Sequence, residues 1–179
     1  FFMSNNKKVL LFAIEREDTK GNRDLYVSFN KGNNTWSVPQ NMGNINTPGT
    51  ELSPFLASDG QTLYFSSTGH NSMGGYDVFS SKYNAGENSW STPTNLQFPV
   101  NSPFDDFLYV SDPNGKVAFF TTARNTVEGK LRVMKTLLLN EDQVELSVVE
   151  GTFTDKTDSL YNYAAITVLD PVTNQVVGK

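Results

Sequence analysis

The chain repeats itself along its length, and this repeat limits the folds that are open to it. Three motifs recur after 53 to 55 residues: DLYVS (24–28) as DVFSS (77–81), WSVP (36–39) as WSTP (90–93), and LYFSS (63–67) as AFFTT (118–122). A long and nearly constant period indicates one supersecondary unit that is used several times. Such units bury their apolar faces only against one another.

Each unit is predicted to contain four short β-strands. In the clearest unit they are residues 51–58, 62–66, 76–81 and 90–96, and the cycle restarts at residues 105–110, turns at Asn114-Gly115 and continues at residues 117–122. The sequence Asp59-Gly60 between the first two predicts a tight hairpin, because glycine accepts a positive φ and aspartate tolerates it. Aromatic and β-branched residues dominate the segments, and helical periodicity does not last beyond one turn.

A four-stranded antiparallel unit with this period predicts an all-β fold, namely a partial β-propeller. Residues 51–96 form one complete blade, with partial blades at residues 9–42 and 104–139, so about two to three blades are present. Closure usually takes four to eight blades. The others are expected from a longer chain or from a partner. The aromatic residues expected to fill the space between blades are Phe65, Phe120, Trp36 and Trp90.

After about residue 139 the repeat stops and a different unit is predicted. Residues 144–153, 164–170 and 175–178 read as the first strands of a small antiparallel β-sandwich, with a turn at 155–159. The predicted domains are therefore residues 1–142 for the propeller blades and 143–179 for the start of the sandwich.

The charge balance excludes some partners. The net charge is −5, the pI is about 4.8 and there is no cysteine. Nucleic acids and anionic membranes attract positive surfaces, so neither is expected as a partner. No stretch is long enough for a membrane span. Residues 9–14 follow two lysines, but they are too short for a signal peptide and they align with the repeat, so a strand is expected there.

No catalytic, cofactor or metal site is predicted. His70 is the only histidine, and its loop is expected to be exposed. One histidine without cysteine is a poor zinc set. The glycine-rich loop at residues 69–75 lacks the Lys-Ser/Thr of a phosphate-binding loop. No Ser/His/Asp set is present.

Three carboxylates are candidates for either a cation site or backbone capping. Glu51 and the pair Asp105-Asp106 fall at matching points of the repeat, just before or at the start of the first strand of a blade. They could bind Ca²⁺ through their oxygen atoms. They could equally accept hydrogen bonds from backbone N–H groups at a blade corner. The sequence leaves both roles open, with capping favoured.

A sialidase-like site is not supported. Residues 32–36 and 86–90 are similar to an Asp-box, but the glycine is one position early and the aspartate is missing. A sialidase also needs clustered arginines to hold a carboxylate. The four arginines do not recur at matching positions of every unit; they are Arg16, Arg23, Arg124 and Arg132.

The motifs resemble a known family. ELSPF (51–55), DG (59–60), LYFSS (63–67), GGYDVF (74–79), WSTPTNL (90–96) and NSPFDD (101–106) are similar to the TolB-type, WD-like propeller repeat of Bacteroidota envelope proteins. The third unit departs from this pattern, because Leu131-Arg132-Val133 replaces the usual Asp-Ile-Tyr type of strand start. Residues 151–178 are similar to the start of a carboxypeptidase-regulatory-like sandwich.

The resemblance implies an exported, periplasmic protein close to the outer membrane. Proteins of the OmpA family and PorE-like components of the type IX secretion and gliding apparatus are built in this way. Envelope proteins are then the expected partners. Peptidoglycan would be bound only through an OmpA-like domain that this sequence does not include.

Three functions are compatible with these features. The leading one is a non-enzymatic scaffold that holds envelope proteins. The second is a carbohydrate-binding or glycan-processing propeller, which exposed aromatic residues on loops would favour. The third is a peptidase-associated propeller, which requires a downstream hydrolase domain, whereas the tail here is predicted to be a β-sandwich.

Overall fold

The structure is a computed structural model that describes residues 1–127, 129–138, 168–169 and 176–178. In these ranges every regular element is a β-strand, apart from the short 3₁₀ turn Gly43–Ile45. None of the described segments is a helix long and apolar enough to cross a membrane. The chain divides into two compact units, Phe1–Val144 and Glu145–Lys179. The all-β class and the partial propeller are confirmed.

The first blade is an antiparallel sheet. Its strands are β1 (Phe2–Met3), β2 (Val9–Ile14), β3 (Asp24–Gly32), β4 (Thr35–Trp36) and β5 (Gln40–Asn41). The order is β1-β2-β3, and both β4 and β5 pair with β3. The outermost position is thus occupied by two short strands. Pro39 lies between them, and a proline cannot donate to a continuous ladder.

The second blade repeats this arrangement. Its strands are β6 (Glu51–Leu56), β7 (Thr62–Ser67), β8 (Asp77–Asn84), β9 (Ser89–Trp90) and β10 (Thr94–Asn95). The order is β6-β7-β8, with β9 and β10 both on β8 and Pro93 between them. The register is also repeated, since Phe65 pairs with Phe79 as Phe12 pairs with Tyr26.

The third blade has three described strands in the order β11-β12-β13. They are β11 (Asp106–Ser111), β12 (Val117–Thr122) and β13 (Arg132–Leu137). β13 begins with Arg132, where the other two blades begin the same strand with Asp24 and Asp77. The departure of the third unit from the repeat motif therefore lies at the start of β13.

The predicted hairpin turns are stabilised by aspartate side chains. Asp59 Oδ1 accepts hydrogen bonds from the N–H groups of Gln61 and Thr62, both at 2.8 Å. In the turn that contains Gly115, Asp112 Oδ1 likewise accepts a hydrogen bond from the N–H of Val117 at 2.8 Å. The two glycines of these turns have positive φ values of 68° and 63°.

Two apolar clusters lie between the blades. One contains Leu11, Leu25, Met42, Ile45, Leu63, Phe65 and Phe79, and it joins the first blade to the second. The other contains Val78, Val100, Tyr109, Ala118 and Phe120, and it joins the second blade to the third. Phe65 and Phe120 are buried as predicted, whereas Trp36 and Trp90 are half-buried.

The second unit is described at two strands, β14 (Val168–Leu169) and β15 (Val176–Gly178), which pair antiparallel. The predicted strand at residues 144–153 and the turn at 155–159 lie outside the described residues. The sandwich assignment and the domain boundary at residues 142–143 stay predictions.

Candidate functional site

The most organised polar residues lie where one blade is joined to the next. We call the contact between the first and second blades, with its linker at residues 42–50, the first joint. The second joint lies between the second and third blades, with its linker at residues 96–105. Each joint combines an apolar cluster with buried polar groups, and the three carboxylates singled out in the sequence belong to these joints.

Glu51 fastens the first linker to the second blade. Its side chain is fully buried. Oε1 accepts hydrogen bonds from the hydroxyl groups of Thr47 (2.7 Å) and Ser67 (2.6 Å), and Oε2 accepts one from the N–H of Thr47 (3.0 Å). One side chain thus connects the linker to β7.

Asp106 has the same place in the second joint. It is also fully buried, and its Oδ2 accepts a hydrogen bond from the hydroxyl of Ser102 at 2.7 Å. Its Oδ1 forms an ion pair with Nη2 of Arg124 at 3.1 Å. The same guanidinium donates to the carbonyls of Pro99, at 2.9 Å, and Val100. Arg124 therefore ties the linker to the third blade.

Asp105 has a different hydrogen-bond partner from its neighbour Asp106. It is exposed, and its Oδ1 accepts a hydrogen bond from the N–H of Tyr76 at 3.0 Å. A Cβ on Gly75 would lie 2.1 Å from that oxygen, so glycine is required for this close approach. Asp105 connects the third blade to the loop that precedes β8.

The three carboxylates are thus not brought together. Glu51 belongs to the first joint, whereas Asp105 and Asp106 belong to the second. Among the described residues there is no group of three or more His, Cys, Asp or Glu placed to hold a metal ion. The donors around each carboxylate already engage its oxygen atoms, which suits capping, and the guanidinium of Arg124 beside Asp106 would repel a cation. Calcium binding stays a prediction without support from this geometry.

Two asparagines that the sequence analysis did not single out anchor the first joint. Asn46 is buried and bonds both backbone groups of Leu25, with its Oδ1 2.8 Å from the N–H and its Nδ2 2.9 Å from the carbonyl. Its Nδ2 also donates to Asn41 at 2.9 Å. Asn41 in turn donates to Asp24 at 2.9 Å, so a polar chain runs through the joint.

The second joint contains the same chain. Asn101 bonds the N–H of Val78 at 2.8 Å and its carbonyl at 2.7 Å, and it donates to Asn95 at 2.7 Å. Asn95 donates to Asp77 at 2.9 Å. Asn95 and Asn101 lie in the quoted repeat motifs, so their recurrence was the signal that could have identified them.

Asp24 and Asp77 share one further feature. Each is fully buried, and in each the Oδ1 atom has no hydrogen-bond partner among the described residues. The same carboxylate oxygen has the same surroundings at the same position of both blades, which shows that the arrangement belongs to the repeat.

The loop that contains His70 is exposed at Asn71, Met73 and Gly75, but His70 itself is covered, which corrects the expectation for this residue. The residue is half-buried, with its ring centre 5.8 Å from that of Phe65 and 5.1 Å from that of Phe79. Its Nε2 lies 3.0 Å from the carbonyl oxygen of Ile45 in the first linker. The imidazole ring of His70 thus packs against the apolar cluster of the first joint, and its Nε2 atom hydrogen-bonds the linker carbonyl.

A cleft of about 450 Å³ opens at the edge of the first joint. The rings of Trp90 and Tyr83 lie there with their centres 5.2 Å apart, and Phe29 on the other wall is 44% exposed. The side-chain amide of Asn44 donates to the carbonyl of Trp90 at 2.9 Å and supports its position. Aromatic faces can stack on sugar rings, and nearby amides can hydrogen-bond sugar hydroxyl groups.

A second groove, of about 390 Å³, follows the first strands of the blades. The exposed apolar residues Phe1, Leu108 and Val110 lie along it. Both β6 and β11 carry a bulge there, with positive φ at Ser53 (52°) and Leu108 (56°). The repeated bulge bends each strand and turns the exposed side chain of Leu108 outward.

Comparison with known proteins supports the fold. No family model matches the chain, and no curated protein matches it. Among the solved structures, one described as "putative TolB from Agrobacterium tumefaciens" is similar, with a TM-score of 0.53 and 16% identity. The match covers 76% of this chain and 44% of that one, so this chain spans less than half the length of its solved neighbour. At this identity the likeness establishes the architecture, that of a TolB-like β-propeller.

Proposed function

We propose that the protein is a non-enzymatic scaffold of the bacterial periplasm that holds other envelope proteins. The observation that carries this proposal is the use of the buried polar groups. Glu51, Asp106, Asn46 and Asn101 each hydrogen-bond a linker or a strand of the joints. The buried carboxylates Glu51 and Asp106 are thus engaged in joining blades.

The finer assignment follows the family resemblance. We propose an envelope protein of the Bacteroidota type, associated with the outer membrane and acting in a type IX secretion or gliding apparatus. Residues 1–142 would form the propeller part, and residues 143–179 would begin a carboxypeptidase-regulatory-like sandwich. The likeness to a TolB-like propeller supports the propeller part of this proposal, and the remaining parts rest on the motif resemblance.

The groove along the first strands is the surface that best suits a protein partner. Its exposed side chains are apolar apart from Arg23, and bulges at matching positions shape its wall. Apolar patches of this kind on otherwise polar proteins usually mark interaction sites. Residues of all three blades line this groove, so a partner bound there would contact more than one repeat.

Capture from an envelope fraction with a chemical cross-linker tests the scaffold function. We expect defined envelope proteins to be cross-linked to the chain and to be lost when Val110→Glu places a charge in the groove. Val38→Glu is the matched control, because Val38 is 74% exposed and lies between the outermost strands. Equal capture by both variants, or recovery of the protein in a cytosolic fraction, would contradict the proposal.

A glycan-binding propeller is the second candidate, and the aromatic cleft at the first joint favours it. Trp90 and Tyr83 present ring faces beside amide side chains. A glycan array, followed by titration of tryptophan fluorescence, tests this function directly. We expect Tyr83→Ala to abolish any binding that occurs in the cleft, and an array without any signal would remove this candidate.

A further inference from the structure

The aromatic cleft at the first joint has an uncharged lining. The described residues that form it are apolar, aromatic or amide residues and glycines, and none of them is acidic or basic. Its volume of about 450 Å³ lies within the range of small-ligand sites, about 300–1,000 Å³. A charged group that entered this cleft would lose hydration without meeting an opposite charge, so the lining favours a neutral ligand.

One wall is aromatic at a position where the repeat does not require it. Phe29 on β3 pairs with Val9 on β2, and the matching pair of the second blade is Lys82 with Thr62. Phe29 is 44% exposed and does not belong to the apolar cluster that joins the two blades. Packing between blades therefore does not account for this ring, and its surface is open to a ligand in the cleft.

The opposite wall carries a pair of rings that the first blade lacks. Tyr83 on β8 pairs with Trp90 on β9, and the two ring planes are inclined by 57°. The matching pair of the first blade is Asn30 with Trp36, which has one ring only. Trp90 is half-buried, so part of its surface stays accessible beside Tyr83. Both walls of the cleft thus differ from their counterparts in the repeat by an added aromatic ring.

Four polar side chains of the lining have unused hydrogen-bonding groups. The amide of Gln40 and the indole N–H of Trp90 have no hydrogen-bond partner within the described part of the chain. Asn44 donates through Nδ2 to the carbonyl of Trp90, which leaves its Oδ1 as an acceptor. Asn88 accepts through Oδ1 from the hydroxyl of Tyr83, which leaves its Nδ2 as a donor. Both donors and acceptors are therefore open to a ligand.

This mixture distinguishes between two kinds of neutral ligand. Sugar hydroxyl groups both donate and accept, so they can use the donors and the acceptors of the cleft. A proline-rich peptide also packs on aromatic rings, but the backbone of its proline residues offers carbonyl acceptors alone. The amide oxygen atoms of Gln40 and Asn44 would then stay unpaired beneath the peptide, which weakens binding. The lining thus favours a sugar.

We propose that the aromatic cleft is a site for neutral sugars and that it excludes acidic ones. A pyranose ring stacks on Trp90, and Phe29 covers it from the other wall. The amide groups of Gln40, Asn44 and Asn88 hydrogen-bond its hydroxyl groups. The ligand class assigned here rests on the glycan-binding function that is the second candidate above, and it specifies which glycans that function would use.

Matched neutral and acidic probes test this preference in the full chain. The neutral probes are cellobiose, lactose and maltose, and the acidic probes are the same sugars with the primary hydroxyl of the non-reducing ring oxidised to a carboxylate. Trp36→Phe leaves Trp90 as the only tryptophan, so the fluorescence then reports on the cleft. We expect saturable binding of at least one neutral probe, and binding of its acidic counterpart that is weaker by about 10-fold or more.

Phe29→Lys should reverse this preference. It introduces the residue type that the second blade has at the matching Lys82, so the blade fold accepts it. We expect the neutral probe to bind about 5-fold more weakly and the acidic probe about 5-fold more tightly, because an ammonium group then faces the carboxylate. Val38→Lys is the matched control, because it adds the same charge at a residue that is 74% exposed and does not line the cleft.

Gln40→Ala tests the hydrogen bonds without changing either aromatic wall. Gln40 is exposed, so the melting temperature should stay the same. We expect the neutral probe to bind about 5-fold more weakly, because one polar partner is lost. An unchanged affinity would contradict the arrangement proposed for the ligand.

The outcomes separate the ligand class from the glycan-binding function itself. Equal binding of neutral and acidic probes would overturn the neutral-sugar site and leave glycan binding in place. The same holds if a folded Phe29→Lys variant keeps the original preference. If no probe binds and a glycan array gives no signal, both are removed. A fluorescence change with a decaproline peptide and none with the sugars would assign the cleft to a peptide and also overturn the proposal.

Discussion

The two joints of this protein solve the same problem with different residues. Both fix an acidic side chain at the start of a blade with a hydroxyl group from the linker, Thr47 for Glu51 and Ser102 for Asp106. The first joint holds its carboxylate with neutral donors alone. The second adds an ion pair with Arg124.

The difference shows which parts of the repeat carry the geometry. The asparagine contacts to backbone groups have the same donors and acceptors in both joints, and their distances agree within about 0.2 Å. The side chain over the aromatic ring varies between His70 and Arg124. The backbone contacts therefore set the position of each blade, and the ring contact allows more than one residue type.

The largest effect is expected when the aromatic residue of a joint is removed. Phe65→Ala and Phe120→Ala should each lower the free energy of unfolding by about 4 kcal/mol, because each leaves a cavity in a packed cluster. Urea denaturation followed by tryptophan fluorescence measures both. Similar losses would show that the apolar parts of the two joints are equivalent.

Phe12→Ala serves as the control for these two variants. Its side chain is half-buried in this chain, so its removal should cost about 1 kcal/mol. A loss as large as that of Phe65→Ala would contradict the partial burial of Phe12.

Substitutions of the buried carboxylates Asp106 and Glu51 should affect the two joints differently. Asp106→Ala leaves the partly buried guanidinium of Arg124 without its charge partner, so we expect a loss of about 3 kcal/mol. Glu51→Ala leaves neutral donors unpaired and should cost about 2 kcal/mol. Calorimetry measures both losses, and because the ion pair of Asp106 is buried, added salt should change its loss only slightly.

The isosteric variants Asp106→Asn and Glu51→Gln test the role of charge in the same residues. Glu51→Gln keeps acceptor capacity toward Thr47 and should cost less than Asp106→Asn. The reverse order would show that the ion pair with Arg124 does not distinguish the joints.

The asparagines should show no such difference. Asn46→Ala and Asn101→Ala each remove two bonds to a buried backbone segment, and each should cost about 2 kcal/mol. Hydrogen exchange should become faster at the N–H of Leu25 in one variant and of Val78 in the other. A loss confined to one variant would show that the shared polar chain is not equivalent in the two joints.

The smallest effect is expected at alkaline pH, and only in the second joint. Burial raises the pKa of Tyr109 and of Tyr64, whose ring centres lie 4.6 Å apart. Because the folded pKa lies above the unfolded value, their contribution to stability is complete below about pH 10 and is lost as pH rises further. Tyr109→Phe should make stability less dependent on pH above 10, as measured by urea midpoints from pH 8 to 11.

The strands could be predicted from the sequence because their signals are local. Alternating apolar residues, the Asp-Gly and Asn-Gly turns and the 53-to-55-residue spacing located β6, β7, β11 and β12 within about two residues. The outermost strand was less regular than expected. It forms two short pieces in the first two blades, since Pro39 and Pro93 interrupt the ladder.

The polar contacts of the joints could not be predicted in the same way. Asn46 acts on the backbone of Leu25, and Arg124 acts on the carbonyls of residues 99 and 100. These partners are more than 20 positions apart and lack a pattern that identifies them. His70 shows the same limit, because the composition of its loop indicated exposure and the neighbouring blade provided the cover.

The sequence by itself determined the all-β class, the repeating unit and the aromatic positions that are buried between blades, because turn chemistry and side-chain alternation act over a few residues. Only the tertiary structure decided which oxygen accepts from which donor at the joints, and that His70 packs against the rings of Phe65 and Phe79. Those contacts depend on how two sheets approach each other in space, which the order of residues along one strand does not specify.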